Sequence, residues 1–432
     1  MKIQPAKNLQ GTINLPGDKS ISHRAAMFAS LARGTTRIEN FATSADCAST
    51  LSCFEQLGVE VAREGDTVVV TGRGKNGFRE SAAPLDCGNS GTTMRLLAGI
   101  LAGQPFDSVL TGDESLSKRP MKRVIEPLTR MDARLEADDN HAPLRIFGKN
   151  PLRAISFEPA VASAQVKSCV LLAGLNAAGR TSVLEKTPTR DHTERMLRWF
   201  GVGVAEEETE NGRLITVSGD AGLAARDLIV PSDVSSAAFF LVAAAGLKDS
   251  ALTLPNVGLN PTRNAVVEVL RDFGAEIEIF NEREIANEPV ADLRVSGRGA
   301  LRPRAGANVL RGKIIANLID EIPILAVFGT QLAGGLEIRE AAELRVKESD
   351  RIRAVVENLR RMGAAVEEFE DGLRVEKSAL RGATVDSCGD HRIAMAFAVA
   401  ALFAAGPTEI KDAACAAVSF PAFFETLATV AK

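Results

Sequence analysis

Gly17-Asp18-Lys19-Ser20-Ile21-Ser22-His23-Arg24 follows the strand-like Gly11-Thr12-Ile13-Asn14-Leu15-Pro16 and opens an Ala-rich run, Ala25 to Ala32, that predicts a helix. Strand, glycine turn and helix start in that order aim unpaired backbone N–H groups and the positive end of the helix dipole at one point. Lys19, Ser20 and Arg24 add donors there, so the stretch reads as a cradle for phosphate or carboxylate. It is not the nucleotide P-loop, because Gly11 and Gly17 enclose five residues and Asp18 separates Gly17 from Lys19. Taken alone, the octapeptide equally describes a helix capped by Ser20 or Ser22 with Arg24 at the surface.

The same grammar recurs along the chain: a polar or glycine turn, a basic or hydroxyl residue, then an Ala/Leu-rich helix. Gly91-Thr92-Thr93-Met94-Arg95 leads into Leu96–Leu101, Ser163-Ala164-Gln165-Val166-Lys167-Ser168 into Cys169–Leu175, and Asp233-Val234-Ser235-Ser236 into Ala237–Ala245. Asp320-Glu321-Ile322-Pro323 leads into Ile324–Phe328, and Gly389-Asp390-His391-Arg392 into Ile393–Ala404. Arg24, Arg95, Lys167, Ser236, Pro323 and Arg392 are 71, 72, 69, 87 and 69 residues apart, a loose period that counts six units. Amphipathic helices with a Gly stop lie between them, Cys47–Leu57 before Gly58-Val59-Glu60-Val61 and Arg351–Met362 before Gly363-Ala364-Ala365-Val366. Each unit therefore reads as two helices and about four short strands, too small to bury a sheet alone, and three plus three units make two similar domains. The seams are expected at Pro16-Gly17 and near Val230-Pro231-Ser232-Asp233, giving one domain of residues 18–231 and another of 1–17 plus 232–432. In the second, the segment Lys2–Leu15 pairs with the C-terminal half.

Composition narrows the chemistry. The 432 residues are 45% apolar and 25% charged with a net charge of −4, which is ordinary globular material and argues against nucleic acid as partner. Aromatic residues are 5%, with Trp199 the single Trp and no Tyr, so recognition must lean on charge and hydrogen bonds. Cys47, Cys53, Cys87, Cys169, Cys388 and Cys415 form no C-x-x-C pair and read as reduced thiols of a cytoplasmic protein. Met1-Lys2-Ile3-Gln4-Pro5 runs into the first strand without room for a leader, and the longest apolar run, Ile393 to Ala405, is 13 residues and too short to span a bilayer.

Several constellations carry charge or donors. Asp86-Cys87-Gly88-Asn89-Ser90-Gly91-Thr92 sets Asn89, two glycines and Thr92 at a helix start. Lys118-Arg119-Pro120-Met121-Lys122-Arg123 is a surface charge run unless Pro120, at the first helical position, holds Arg119 extended for a bidentate anion contact. Ser163, Ala164 and Gln165 offer hydroxyl and amide groups, and Thr189-Arg190-Asp191-His192-Thr193-Glu194 reads as a Thr cap with first-turn acids. In Asp320-Glu321 at least one carboxylate is expected to face a cleft as a general base, or else the pair supplies the preferred acids of a Pro-associated helix start. Lys347 and Arg351, at i and i+4, share a helical face with Glu348 beside them, as an anion site or a solvated face. Arg392 opens a helix apolar on all sides and has few bland explanations. There are no clustered metal ligands and no dinucleotide fingerprint, and this inventory suits two small polyanions with acid–base chemistry and no cofactor.

Read together, LPGDKSISHRA (15–25), GNSGTTMR (88–95), TGD (111–113) with KRPM (118–121), SAQVKS (163–168), RVKESDRI (345–352), GDHRIAMA (389–396) and SFPAFFE (419–425) resemble the 5-enolpyruvylshikimate-3-phosphate synthase (3-phosphoshikimate 1-carboxyvinyltransferase) family of enolpyruvyl transferases, nearly end to end. The resemblance implies an α/β (α+β) fold of two domains, each of three βαβαββ units in an inverse α/β barrel, with the active site in the interdomain cleft. It implies a cytoplasmic monomer, without cofactor, that joins phosphoenolpyruvate to the 5-hydroxyl of 3-phosphoshikimate and releases phosphate. By the same resemblance Lys19, Ser20 and Arg24 serve both ligands, and Ser163, Ala164, Gln165, Arg190, Asp320 and Lys347 hold 3-phosphoshikimate. Asn89, Gly91, Thr92, Arg119, Gln165, Arg351 and Arg392 hold phosphoenolpyruvate. Asp320 is then the base and Glu348 the acid, with Lys19 or Lys347 assisting.

The chain follows one branch of that family: Thr189 replaces an aromatic residue, Glu343 an Asn and Val418 a Lys of the other, with Arg190 taking over phosphate contacts. Gly91 lacks the methyl that crowds the inhibitor glyphosate in some members, which implies sensitivity. The transferase acting on UDP-N-acetylglucosamine is the nearest rival, but Asp113-Glu114-Ser115-Leu116-Ser117-Lys118 lacks its loop Cys. A non-catalytic repeat scaffold binding anionic metabolites is the rival of another class, and for it Asp320 and Glu348 would be dispensable.

Overall fold

The computed structural model describes residues 1–298, 301–302 and 308–432, and the chain divides into two compact units. The first comprises Met1–Pro16, Pro231–Glu284 and Pro289–Lys432; the second comprises Gly17–Val230 with Ile285–Glu288. The sequence reading left residues 285–288 with the C-terminal half.

The second repeat shows how a unit is built. Leu85–Asp86 runs parallel to Ser108–Thr111, which is antiparallel to His141–Phe147, itself antiparallel to Arg134–Asp138. The Gly91–Ala102 helix joins the parallel pair and the Lys122–Arg130 helix joins the second strand to the third, which makes a βαβαββ unit. The third repeat (Ser156–Phe157, Arg180–Glu185, Ala205–Thr209, Gly212–Ser218) and the fifth (Val309–Leu310, Leu336–Ile338, Val366–Phe369, Gly372–Val375) have the same strand order. The longer strands alternate as a half-buried sheet requires; in Thr67–Arg73 of the first repeat, Val68 and Val70 are buried while Thr67 and Val69 are half-buried.

The first and fourth repeats exchange a strand. Gln10–Thr12 precedes the Lys19–Leu31 helix yet pairs in parallel with Ala251–Gly258, while Leu228–Ile229 precedes the Val234–Gly246 helix yet pairs with Arg33–Glu39. The sixth repeat departs from four strands: Thr384–Asp386 and Thr408–Lys411 are completed by Lys2–Ile3 from the other end of the chain. Gly17 stands at the first crossing because a side chain there is impossible: its Cβ would lie 1.8 Å from the Asn40 carbonyl oxygen and 3.0 Å from Val230.

Each unit packs three apolar helices into its core. In the second unit these are Lys19–Leu31, Gly91–Ala102 and Ala164–Gly174; in the first, Val234–Gly246, Ile322–Gly329 and His391–Leu402, of which the last is buried throughout. A helix apolar on every face needs neighbours all round, and the three-fold grouping supplies them. Gly99 permits the closest approach, since a Cβ there would sit 2.3 Å from the Cys169 carbonyl oxygen. Among the described residues no helix is long and apolar enough to cross a membrane.

Candidate active-site clusters

In the second unit the cradle helix starts two residues earlier than a Ser20 cap allows. Asp18, not Ser20 or Ser22, caps the Lys19–Leu31 helix, its carboxylate accepting from the Ile21 N–H at 2.9 Å. Ser22 is committed elsewhere, accepting the Ala42 N–H at 3.0 Å. Lys19 pairs with Asp46 at 2.9 Å and keeps 17% of its side chain exposed. Arg24 is not at the surface but 3% exposed, and its hydrogen bonds go to the Thr193 and Ser168 hydroxyls at 2.7 and 2.8 Å and the Ser20 carbonyl at 3.0 Å. Burial pulls its guanidinium down to about 10, Arg190 pulls the same way, and Glu194 and Asp18 oppose. It remains a cation at neutral pH, buried against hydroxyls, and such a charge favours a nearby anion.

The second helix mouth is stitched to the third. Asn89 accepts from Arg119 at 2.7 Å and donates to Asp113 at 2.8 Å; Thr92 accepts from Gln165 at 2.9 Å, and Gln165 accepts from Arg95 at 2.7 Å. A Cβ on Gly91 would stand 2.8 Å from Arg95 Nη1 and 3.5 Å from Arg119 Nη1, so this glycine leaves the guanidinium groups room beside the backbone. Pro120 is not at the first helical position: that helix begins at Lys122, with Met121 before it, and Arg119 is held by Asn89 and, at 3.1 Å, by Ser115. Asp113 caps the Glu114–Ser117 turn. Ser163 caps the Ala164–Gly174 helix, which places Ala164 and Gln165 in its first turn. Arg190 is half-buried in the loop before the His192–Trp199 helix.

Two residues near the third mouth are committed within the protein. Lys167 does not offer its charge to a ligand, because it is 1% exposed between Glu185 at 2.9 Å and Glu194 at 2.7 Å. Thr189 does not cap the following helix, whose cap position is Asp191; its hydroxyl donates to Glu185.

The first unit carries the carboxylates. Asp320, 19% exposed, faces Arg351 at 3.5 Å, Arg392 at 3.6 Å and Arg263 at 3.9 Å, and its carbonyl accepts from Arg392 at 2.9 Å. Arg351 is buried and bonds Asp390 at 2.8 Å and Glu348 at 2.6 Å. Burial alone would lower its pKa, but Asp390 and Glu348 outweigh that and raise it. Asp390 also caps the His391–Leu402 helix, accepting the Arg392 N–H at 2.9 Å. Lys347 and Arg351 do not share a helical face. A 3-10 turn, Ala342–Val346, ends at Lys347, and a new helix capped by Asp350 begins at Arg351, so Lys347 pairs back to Glu343 at 2.8 Å.

Sequence reading missed two partners, Asp46 and Arg263. Asp46 lies in the first turn of an amphipathic helix, where an acid is the usual dipole complement. Arg263 follows Asn260-Pro261-Thr262 ahead of a short helix, and only its burial, 2% exposed, marks it. Of the pair Asp320-Glu321, Glu321 is the fully buried member and accepts from Ser235. Among the described residues no group of three or more His, Cys, Asp or Glu is placed to hold a metal ion.

Helix mouths lined with guanidinium, ammonium and amide donors in one unit, and carboxylates set among guanidinium groups in the other, suit an α/β repeat enzyme acting on small anionic molecules. The family model for EPSP synthase (3-phosphoshikimate 1-carboxyvinyltransferase) matches residues 3–427. The chain is 52% identical to the 3-phosphoshikimate 1-carboxyvinyltransferase of Koribacter versatilis, over 100% of this chain and 99% of that one. It is 53% identical to the enzyme of the same name from Pelotomaculum thermopropionicum, over 100% and 98%. An EPSP synthase structure from Acinetobacter baumannii superposes with a TM-score of 0.88 at 42% identity, covering 100% of this chain and 98% of that one. The chain belongs to the EPSP synthase family.

Proposed function

We propose that the chain transfers the enolpyruvyl group of phosphoenolpyruvate to the 5-hydroxyl of 3-phosphoshikimate and releases phosphate, as a cytoplasmic monomer. The observation that carries this reading is Asp320, a partly exposed carboxylate among Arg351, Arg392 and Arg263, an acceptor set where anions are welcome.

In the forward reaction Asp320 accepts the hydroxyl proton as the oxygen bonds to the central carbon of phosphoenolpyruvate. Glu348 gives a proton to the terminal methylene, which becomes a methyl group. Loss of phosphate and of one methyl proton then restores the double bond, with Lys19 or Lys347 assisting the transfers. Lys19, Ser20 and Arg24 contact both ligands. Ser163, Ala164, Gln165, Arg190 and Lys347 hold 3-phosphoshikimate, and Asn89, Gly91, Thr92, Arg119, Gln165, Arg351 and Arg392 hold phosphoenolpyruvate. Glu348 shares Arg351 with Asp390 at present, so a bound anion competes with it for that guanidinium and frees the carboxyl to act as an acid.

Phosphate release on mixing with phosphoenolpyruvate and 3-phosphoshikimate tests the reaction, with UDP-N-acetylglucosamine as control acceptor. Asp320→Asn should lower kcat by roughly 10²- to 10⁴-fold, as expected for loss of a general base. Full activity in that variant would overturn the mechanism, and turnover only with the nucleotide sugar would overturn the substrate.

A further inference from the structure

Arg263 is the guanidinium near Asp320 that sequence pattern did not mark, and its surroundings differ from those of the other two. It stands ahead of the Ala265–Asp272 helix, 2% exposed. Its Nη2 donates to Ser235 Oγ at 2.9 Å and lies 3.4 Å from Asp233, the cap of the Val234–Gly246 helix, while Nη1 faces Asp320 Oδ2 at 3.9 Å. The Ser235 hydroxyl in turn donates a hydrogen bond to Glu321, and Glu321 lies 3.7 Å from Arg392. The fork is thus fixed at the mouth of Val234–Gly246 and faces Asp320, which stands just ahead of the Ile322–Gly329 helix.

Arg351 and Arg392 are candidates for ligand anions, and an anion drawn onto them weakens their hold on Asp320. Arg263, enclosed by protein groups, has no such second duty. We propose that Arg263 is a positioning residue: with Ser235 and Glu321 it keeps Asp320 aimed, and keeps one cation beside it, through the reaction. This rests on Asp320 being the base. Its consequence falls on the chemical step, since Arg263, buried at 2% exposure, acts through Asp320.

The groups facing Asp320 are Arg351 and Arg392 at the starts of their helices, Arg263 ahead of its own, and Glu321 alongside; Glu348 and Asp390 stand behind Arg351, and Asp233 behind Arg263. Removing one cation makes the acceptor harder to keep ionised. In Arg263→Gln, kcat should fall roughly 10- to 100-fold, KM for both substrates should stay within about twofold, and the acid limb of kcat should move up by about one pH unit. Arg263→Lys, which keeps the charge without the fork, should restore the limb but not the full kcat.

An unmoved acid limb in Arg263→Gln, or a wild-type kcat, overturns the inference. If Arg263→Gln does not fold, Arg263→Lys is decisive: wild-type kcat there overturns it, and lowered kcat with unchanged KM supports it. Asp320→Asn separates the two levels. Full activity in that variant means the base assignment has failed; an inactive Asp320→Asn beside an unaffected Arg263→Gln means positioning alone has failed.

Discussion

At the scale of single residues, the group with the clearest dependence on its surroundings is His23. It is fully buried and bonds Thr50 at 2.6 Å, Thr50 bonds Thr93 at 2.6 Å, and Thr93 bonds Ser90 at 2.8 Å, so the ring anchors a hydroxyl chain from the first helix mouth to the second. Burial, then Lys19 and Arg24, push its pKa well below 6.5, with Asp18 opposing. The native ring therefore stays neutral where the unfolded one, with its ordinary value near 6.5, takes up a proton. Stability is complete above about pH 6.5 and falls below it by roughly 1 kcal/mol per pH unit until the native pKa is reached. Urea midpoints at pH 7.5 and 5.5 should separate more in the wild type than in His23→Gln; parallel losses would refute this. None of it was legible in the sequence, where His23 is one letter between a serine and an arginine. Lys19 and Arg24 stood out because a cation at a helix mouth is unusual locally. Asp46 and Arg263 escaped because their burial and partners come from other segments.

At the scale of elements, the capping of the first helix is what the sequence left ambiguous. Asp18→Ala should cost about 1 kcal/mol or more, the usual loss for a removed N-cap, while Ser20→Ala should leave the urea midpoint nearly unchanged. The reverse order would restore the serine cap. The six apolar helices were readable to within a few residues because Ala-rich, all-apolar runs bounded by polar turns have few alternatives. The stretch from Leu344 to Arg351 misled because two short helical pieces carry charge at the spacing of one, and only the Asp350 carboxylate bonding the Arg353 N–H shows where the second begins. Two-residue strands such as Leu85–Asp86 and Val309–Leu310 have too little length for any periodicity and exist because a longer neighbour pairs with them.

At the scale of the whole molecule, the six-fold repeat was visible because spacing survives even where individual strands do not. The crossings were placed by where a proline or glycine interrupts it. What spacing cannot show is which strand pairs with which, and the exchange of Gln10–Thr12 and Leu228–Ile229 is settled only in three dimensions. A protease site engineered at Val230–Pro231 should, once cut, give two bands under denaturing conditions but a single native species on gel filtration. Residues 1–16 remain paired with the C-terminal fragment through Gln10–Thr12 and Lys2–Ile3. Fragments that elute apart without denaturant would show that these strands do not hold. The same pairing bears on biosynthesis. Lys2–Ile3 leaves the ribosome about 400 residues ahead of its partner Thr408–Lys411, and at about 5–20 residues per second the nascent strand waits ~20–80 s. A naked edge left that long invites mispairing, and Lys2, Pro5, Lys7 and Pro16 are the residue types that keep such an edge from joining a foreign sheet.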